Sequence, residues 1–290
     1  MHSRALVLGG GGPVGVAWES GLIAGLAESG IDLSNADFIV GTSAGSVVGA
    51  QLALGRTPAA LVEPFTGKGE PAPPPDASMS KPPDLSLLLA KLMDSYAGVR
   101  PNDEVCREIG AWALETAGVS EEAFVASFAH SLAGLPAERW PARRFACTAV
   151  DAVSGKFVIW DNDSAVPLAR AIASSCAVPG IASPISIHGR RYMDGGMRSP
   201  TNADLAKGHD VVVVVSISSQ AAPEPFRRPL ERELQTLRDS GSRVELVSPD
   251  AESLAAFGPN LMDFGRRPAA AVNGIRQGKA SLDKLLDVWK

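Results

Sequence analysis

Cysteine is scarce: Cys106, Cys147 and Cys176 are the only three in 290 residues, widely separated and without C-x-x-C spacing. That usage excludes a disulfide framework and a zinc site, and fits reduced thiols in a cytosol. Long apolar runs are missing too. Nothing approaches the ~18 residues that a spanning helix needs. Ala5 to Gly9, ahead of a glycine cluster, is too short for a signal-peptide core. The expectation is a soluble, cytoplasmic chain. Positive charge is outnumbered, 27 Lys and Arg against 32 Asp and Glu. Nucleic-acid binding wants a concentrated basic face, so no such partner is expected. The pairs Arg143-Arg144, Arg190-Arg191, Arg227-Arg228 and Arg266-Arg267 are scattered and read as solvated surface. There is no H-x-x-x-H, no cluster of Cys and His, and no EF-hand loop. No metal and no organic cofactor is implied.

What is present is apolar: 45% of the chain, enough to bury the core of one large α/β domain. Ala5–Leu8 reads as a buried strand ended by Gly9 to Gly12, and Val14 to Glu28 as a helix stopped by Gly30. Asp37–Val40 is a second strand, and Ser46–Leu54 a second helix. Strand, helix, strand, helix with short connections implies parallel strands joined by right-handed crossovers. Residues 56 to 83 are rich in proline and read as a surface loop, neither helix nor central strand. Three helical patterns follow, Asp84–Ala97, Asn102–Ala117 and Ser120–Ala133, an insertion placed to cap a site and a candidate lid that could meet lipid aggregates. A core-packed helical subdomain is the blander alternative. The sheet resumes at Arg144–Val150 and Gly155–Trp160, then come a helix at Val166–Ser175 and extended pieces at Ile185–His188 and Arg191–Met193. Asp210–Ile217, with its five valines, is the clearest buried strand. A helix at Leu230–Ser240, a strand at Arg243–Val247 and a last helix at Pro268–Trp289 complete the chain. The organisation expected is a catalytic domain over 1–220, with 56–143 as its loop and helical insertion, and a C-terminal α/β extension over 221–290 packed on it.

Three short motifs carry chemistry. Gly10-Gly11-Gly12-Pro13-Val14-Gly15 follows the first strand, and its glycines let N–H groups face outward at a helix N-terminus, where negative charge is stabilised. A dinucleotide site would place an acidic residue at the end of the second strand, but that strand ends in Val40-Gly41-Thr42-Ser43. The amides are better read as donors to an oxyanion, from Gly10, Gly11, Gly12 or Val14, because Pro13 has none. Gly41-Thr42-Ser43-Ala44-Gly45 at a strand-to-helix turn reads as a nucleophile elbow. Alone it is an ordinary glycine-rich turn. The histidine that usually completes a triad is not evident, since His2, His130, His188 and His209 all lack a catalytic context. Asp194, followed by Gly195 and Gly196, ends an extended segment and supplies a carboxylate; alone it would be a hairpin turn.

In this order the three elements resemble the patatin-like phospholipase family. Ala171–Gly180, with its small-residue helix and Pro-Gly turn, is similar to the family pattern, as are Pro184 to Asn202 and Asp210–Val215. The resemblance covers residues 5–55 and 144–217, is thin between them, and is not claimed after 220. It implies a three-layer α/β/α fold with a mostly parallel sheet and a helical insertion after the second βα unit. It implies Ser43 as nucleophile, Asp194 as its partner in a dyad, and Gly10, Gly11 and Gly12 as the oxyanion loop, with Gly15, Gly41, Gly45, Gly195 and Gly196 supporting the motifs. One departure stands out. Many members carry Arg or Lys where this chain has Val14, which counts against a preference for phospholipids more than against hydrolysis. The activity expected is hydrolysis of lipid acyl esters, as a phospholipase A or general carboxylesterase. A catalytically weak lipid-binding or regulatory protein of the same fold is the alternative from a different class.

Overall fold

The strand Ala5–Leu8 foreseen in the sequence exists, and its neighbours explain why it is buried on both faces. The computed structural model describes residues 2–67, 85–116, 118–218 and 222–289. Among these, eight strands form one mixed sheet: β1 (Arg4–Leu8), β2 (Phe38–Gly41), β3 (Arg144–Asp151), β4 (Phe157–Trp160), β5 (Ile185–Ile187), β6 (Arg190–Asp194), β7 (Val211–Val215) and β8 (Arg243–Val247). The order is β5-β6-β3-β2-β1-β7-β8, with β4 also on β3. Pairs β3–β2, β2–β1, β1–β7 and β7–β8 are parallel, whereas β3–β4, β3–β6 and β5–β6 are antiparallel. Side chains alternate across each strand. Leu6, Leu8, Val211, Val213 and Val215 face one core, while Ala5, Val7, Val212 and Val214 face another.

Helices cover both faces, giving three layers. On the first lie α1 (Gly12–Glu28), α2 (Ala44–Ala53), α3 (Pro58–Thr66), α6 (Glu121–Ser131), α7 (Leu168–Ser175), α9 (Ala251–Phe257), α10 (Arg267–Ala280) and α11 (Leu282–Trp289). On the second lie α4 (Ser86–Tyr96), α5 (Asn102–Glu115) and α8 (Glu224–Asp239). Helix α1 is buried from Val14 to Leu26 with little exposure on any side, as expected of a helix apolar all round. Of the insertion, α4 and α5 pack on Val150 and Met193 of the sheet. No helix among the described residues is long and apolar enough to cross a membrane.

Several elements differ from the sequence reading. Residues 58–66 were expected as loop but form α3. Pro58 sits in the first turn, where a missing N–H costs nothing, and Thr57 accepts the Ala60 N–H as cap. The remainder of the proline-rich stretch, 68–83, lies outside the described residues. Helix α8 starts six residues early because Pro225 opens it and Pro229 is tolerated inside. The final helix is two, broken at Ser281, and α9 had no counterpart.

The register of β3 positions everything that follows. Cys147 pairs with both Gly41 and Trp160, and Ala149 with both Asp194 and Val158. A residue has only two flanks, so β2 and β6 share one edge of β3 while β4 takes the other. They run in opposite directions along that edge and end facing each other. Their termini, Gly41 and Asp194, are two β3 residues apart.

Candidate active site

Ser43 leaves β2 at this junction. Its backbone adopts φ 52, ψ −117, a region that non-glycine residues rarely enter. Such a conformation costs about 1–3 kcal/mol and persists only where the surroundings hold it. Here they do. The Ser43 N–H donates to Ser175 Oγ at 3.0 Å, and its carbonyl accepts from Ser46 Oγ at 2.6 Å and Cys176 Sγ at 3.2 Å. Gly45 allows the turn to sit against β1, because a Cβ there would lie 2.1 Å from the Leu8 carbonyl oxygen. Gly41 is equally tight against Gly45, at 2.4 Å. Ser43 occupies the N-cap of α2, yet its side chain caps nothing. The hydroxyl is left available.

Asp194 ends β6 facing it. One carboxylate oxygen, Oδ1, accepts the Gly196 N–H at 2.6 Å; the other, Oδ2, is buried and without a hydrogen-bond partner among the described residues. Burial raises the carboxyl pKa to about 7, and the Ser43 hydroxyl and Gly196 amide draw it partly back. Tyr96 of α4 donates its hydroxyl to the Gly196 carbonyl and so fixes the far side of this turn.

A buried polar hub ties the two turns together. Thr42 Oγ1 and Thr148 Oγ1 are 2.9 Å apart. Asn202 Nδ2 donates to Thr42 Oγ1 at 3.0 Å, to the Ser199 carbonyl at 2.9 Å and to the Gly195 carbonyl at 3.3 Å. Gly195 fits because a Cβ would stand 2.2 Å from Thr148 Oγ1. Thr42, Thr148, Ser175, Cys176, Asn202 and Tyr96 had no assigned role in the sequence reading. Thr42 lay inside the elbow motif, Ser175 and Cys176 in the small-residue run Ala171–Gly180, and Asn202 at the end of the stretch Pro184 to Asn202, whereas Tyr96 and Thr148 carried no specific signal.

The glycine loop completes the junction. Gly10 packs with its missing Cβ 3.4 Å from Ser43 Cβ. Its amide, expected as an oxyanion donor, is spent on the Pro200 carbonyl at 2.8 Å. The Val14 amide is likewise given to Leu261 O at 3.2 Å. Among the described residues no acceptor takes the amides of Gly11 and Gly12, the N-cap and first residue of α1, where helical partners do not exist. Gly12 turns with φ 58, and Gly15 packs on Ile217. The helix macrodipole adds partial positive charge at this end.

The four histidines stay away. His130 and His188 are exposed, His2 lies beside Asp210, and His209 stacks on Phe38 and faces the Ala206 carbonyl below the N-terminal end of β7. Burial raises all three thiols, Cys106 to about 12, so none is primed as a thiolate. Among the described residues no group of three or more His, Cys, Asp or Glu could hold a metal ion.

Residues 6–207 match the family model described as patatin-like phospholipase. No curated protein sequence matches the chain. Among solved structures it is similar to VipD from Legionella pneumophila, with TM-score 0.45 and 13% identity over 98% of this chain and 67% of that one. It is also similar to the type III effector ExoU, with TM-score 0.42 and 16% identity over 98% and 53%. ExoU in complex with SpcU from Pseudomonas aeruginosa gives TM-score 0.42 and 17% identity over 98% and 52%. The chain thus spans about half the length of ExoU. Likeness at this level bears on neither activity nor partners.

Proposed function

The chain belongs to the patatin-like phospholipase family, and from that premise we propose that it is a serine-dependent lipid acyl hydrolase working through Ser43 and Asp194. Asp194 Oδ2 accepts the proton of Ser43 as its oxygen attacks the ester carbonyl. The developing oxyanion is held by the amides of Gly11 and Gly12, each such donor being worth about 3 kcal/mol. Gly10 serves as support for the loop. Collapse of the tetrahedral species returns the proton to the leaving alcohol, and water then attacks the acyl-enzyme with Asp194 again as base.

The observation that carries this reading is the buried, unpartnered Oδ2 of Asp194, its pKa about 7, beside a serine held in a strained elbow. An ordinary aspartate, with a pKa of about 3.9, would be a poor base at neutral pH. A base poised near the working pH is what proton transfer favours.

The test is release of fatty acid from a panel of monoacyl esters, neutral glycerides and phospholipids. Wild type is expected to turn over at least one class, and Ser43→Ala is expected to lose that turnover at least about a thousandfold. No release by wild type, with lipid still bound, would favour a lipid-binding protein instead.

A further inference from the structure

The glycine loop is covered by a segment that lies outside the family match, the turn between α9 and α10. Leu261 takes the Val14 N–H on its carbonyl. A Cβ on Gly12 would stand 2.8 Å from that carbonyl oxygen and 2.9 Å from Sδ of Met262. On the other flank Ile217, just past β7, places Cδ1 2.2 Å from a Cβ position on Gly11 and 2.8 Å from one on Gly15. That Gly15 position is also 3.3 Å from Cβ of Ala44, the residue after Ser43. The glycines therefore do more than free the backbone. They leave room for Ile217 against Gly11 and for Met262 against Gly12, the two residues whose amides have no acceptor among the described residues.

The covering turn is held by its own hydrogen bonds. Asn260 Oδ1 accepts the Met262 N–H at 3.0 Å, the Asn260 carbonyl accepts the Asp263 N–H at 3.1 Å, and Asp263 Oδ1 accepts the Gly265 N–H at 2.9 Å. Leu261 and Met262 remain partly exposed, whereas Ile217 is 9% exposed. Met262 is thus a side chain placed against Gly12 and partly open to solvent, while the buried Ile217 lies against Gly11 and Gly15 on the other flank.

Resting on the hydrolase reading above, we propose that Met262 beside Gly12, with Ile217 beside Gly11, lines the wall against which the substrate's acyl chain lies, so that the C-terminal segment sets chain-length preference. An ester oxygen bound by Gly11 and Gly12 brings the carbonyl carbon to the same loop, and its hydrocarbon substituent meets a thioether and an aliphatic chain. Methionine is unbranched and adapts to a flexible alkyl partner. Apolar pockets of this kind discriminate by about tenfold or more per methylene.

The experiment compares kcat/KM for p-nitrophenyl esters from acetyl to dodecanoyl in wild type, Met262→Trp, Met262→Ala and Met262→Leu, with fluorophosphonate labelling of Ser43 as a count of competent sites. A second series holds the acyl group constant and varies the alcohol. Met262→Trp is expected to lower the dodecanoyl-to-acetyl ratio about tenfold and Met262→Ala to raise it. Met262→Leu should leave it near wild type. Equal losses across all chain lengths, an unmoved ratio, or a shift confined to the alcohol series overturns the inference while leaving the hydrolase reading intact. Failure of wild type both to turn over and to label overturns that reading and this one with it.

Discussion

At the scale of single residues, two of the buried carboxyls have oxygens with no hydrogen-bond partner among the described residues. Asp194 is the one assigned to chemistry. Glu19, in the middle of α1, is fully buried with both oxygens unpartnered among the described residues, and burial pushes its pKa well up. The Gly9 amide offsets this little, because it already donates to the Val215 carbonyl at 3.0 Å. A group whose folded pKa lies above its unfolded value of about 4 contributes its full stability below that value and loses it as pH rises through the folded pKa. For Asp194 the loss falls between about 4 and 7. Glu19→Gln keeps the shape and removes the charge. Its Tm is expected to exceed that of wild type by several degrees at pH 8, with the gap closing at pH 4. A lower Tm at both values would mean that the carboxylate is ionised and paired. The tight turns at Ser43 and Asp194, which the proposal makes a dyad, were legible in the sequence because each needs small flanking residues, and these leave a short local signature. That the Gly10 amide, expected as an oxyanion donor, already donates to the Pro200 carbonyl is not legible, because sequence does not tell which amides are already spent.

At the scale of elements, the meeting of β2 and β6 on one edge of β3 converts two distant motifs into a pair. Strand and helix types were largely legible, through apolar alternation and glycine stops. The shared edge was not, because register depends on pairings that no local pattern encodes. The same holds for Asn202, whose partners Thr42 and Thr148 lie 160 and 54 residues away. Asn202→Ala removes a buried donor and leaves several acceptors unsatisfied. It is expected to cost about 1–3 kcal/mol in urea unfolding. Loosening the Gly195 turn should also lower kcat more than it raises KM. Unchanged kinetics in a destabilised variant would reduce Asn202 to a structural role. Helix α3 was missed for a different reason. Proline was counted as a breaker throughout 56–83, although it is favoured in a first turn.

Across the whole molecule, the part beyond the family match is woven into the rest. β8 pairs with β7 along its full length. Helix α10 lies backbone to backbone on α1: a Cβ on Gly21 or Gly25 would sit 2.2 Å from the carbonyl oxygens of Ala271 and Ile275, and one on Gly274 or Gly278 would sit 2.4 Å from those of Trp18 and Leu22. Helix α1 carries the glycine loop at its start, so this contact also supports the site. A chain ending at residue 220 would bare one side of α1 and an edge of β7. Such a fragment is expected to show no cooperative thermal transition and no esterase activity. A well-folded, active fragment would make 221–290 an independent unit. Sequence indicated helices and a strand there but not their partners, since two glycine pairs more than 240 residues apart carry no mutual signal.

The central claim is that one buried carboxylate, without a histidine, activates Ser43. The most direct measurement is the rate of fluorophosphonate labelling of Ser43 against pH, in wild type, Asp194→Asn and a variant lacking all four histidines. The account predicts a rate that rises with an apparent pKa of about 7 in wild type and in the histidine-free protein, and that is abolished in Asp194→Asn. Labelling of Asp194→Asn at the wild-type rate, or its loss on removal of the histidines from a protein that still folds, would contradict it.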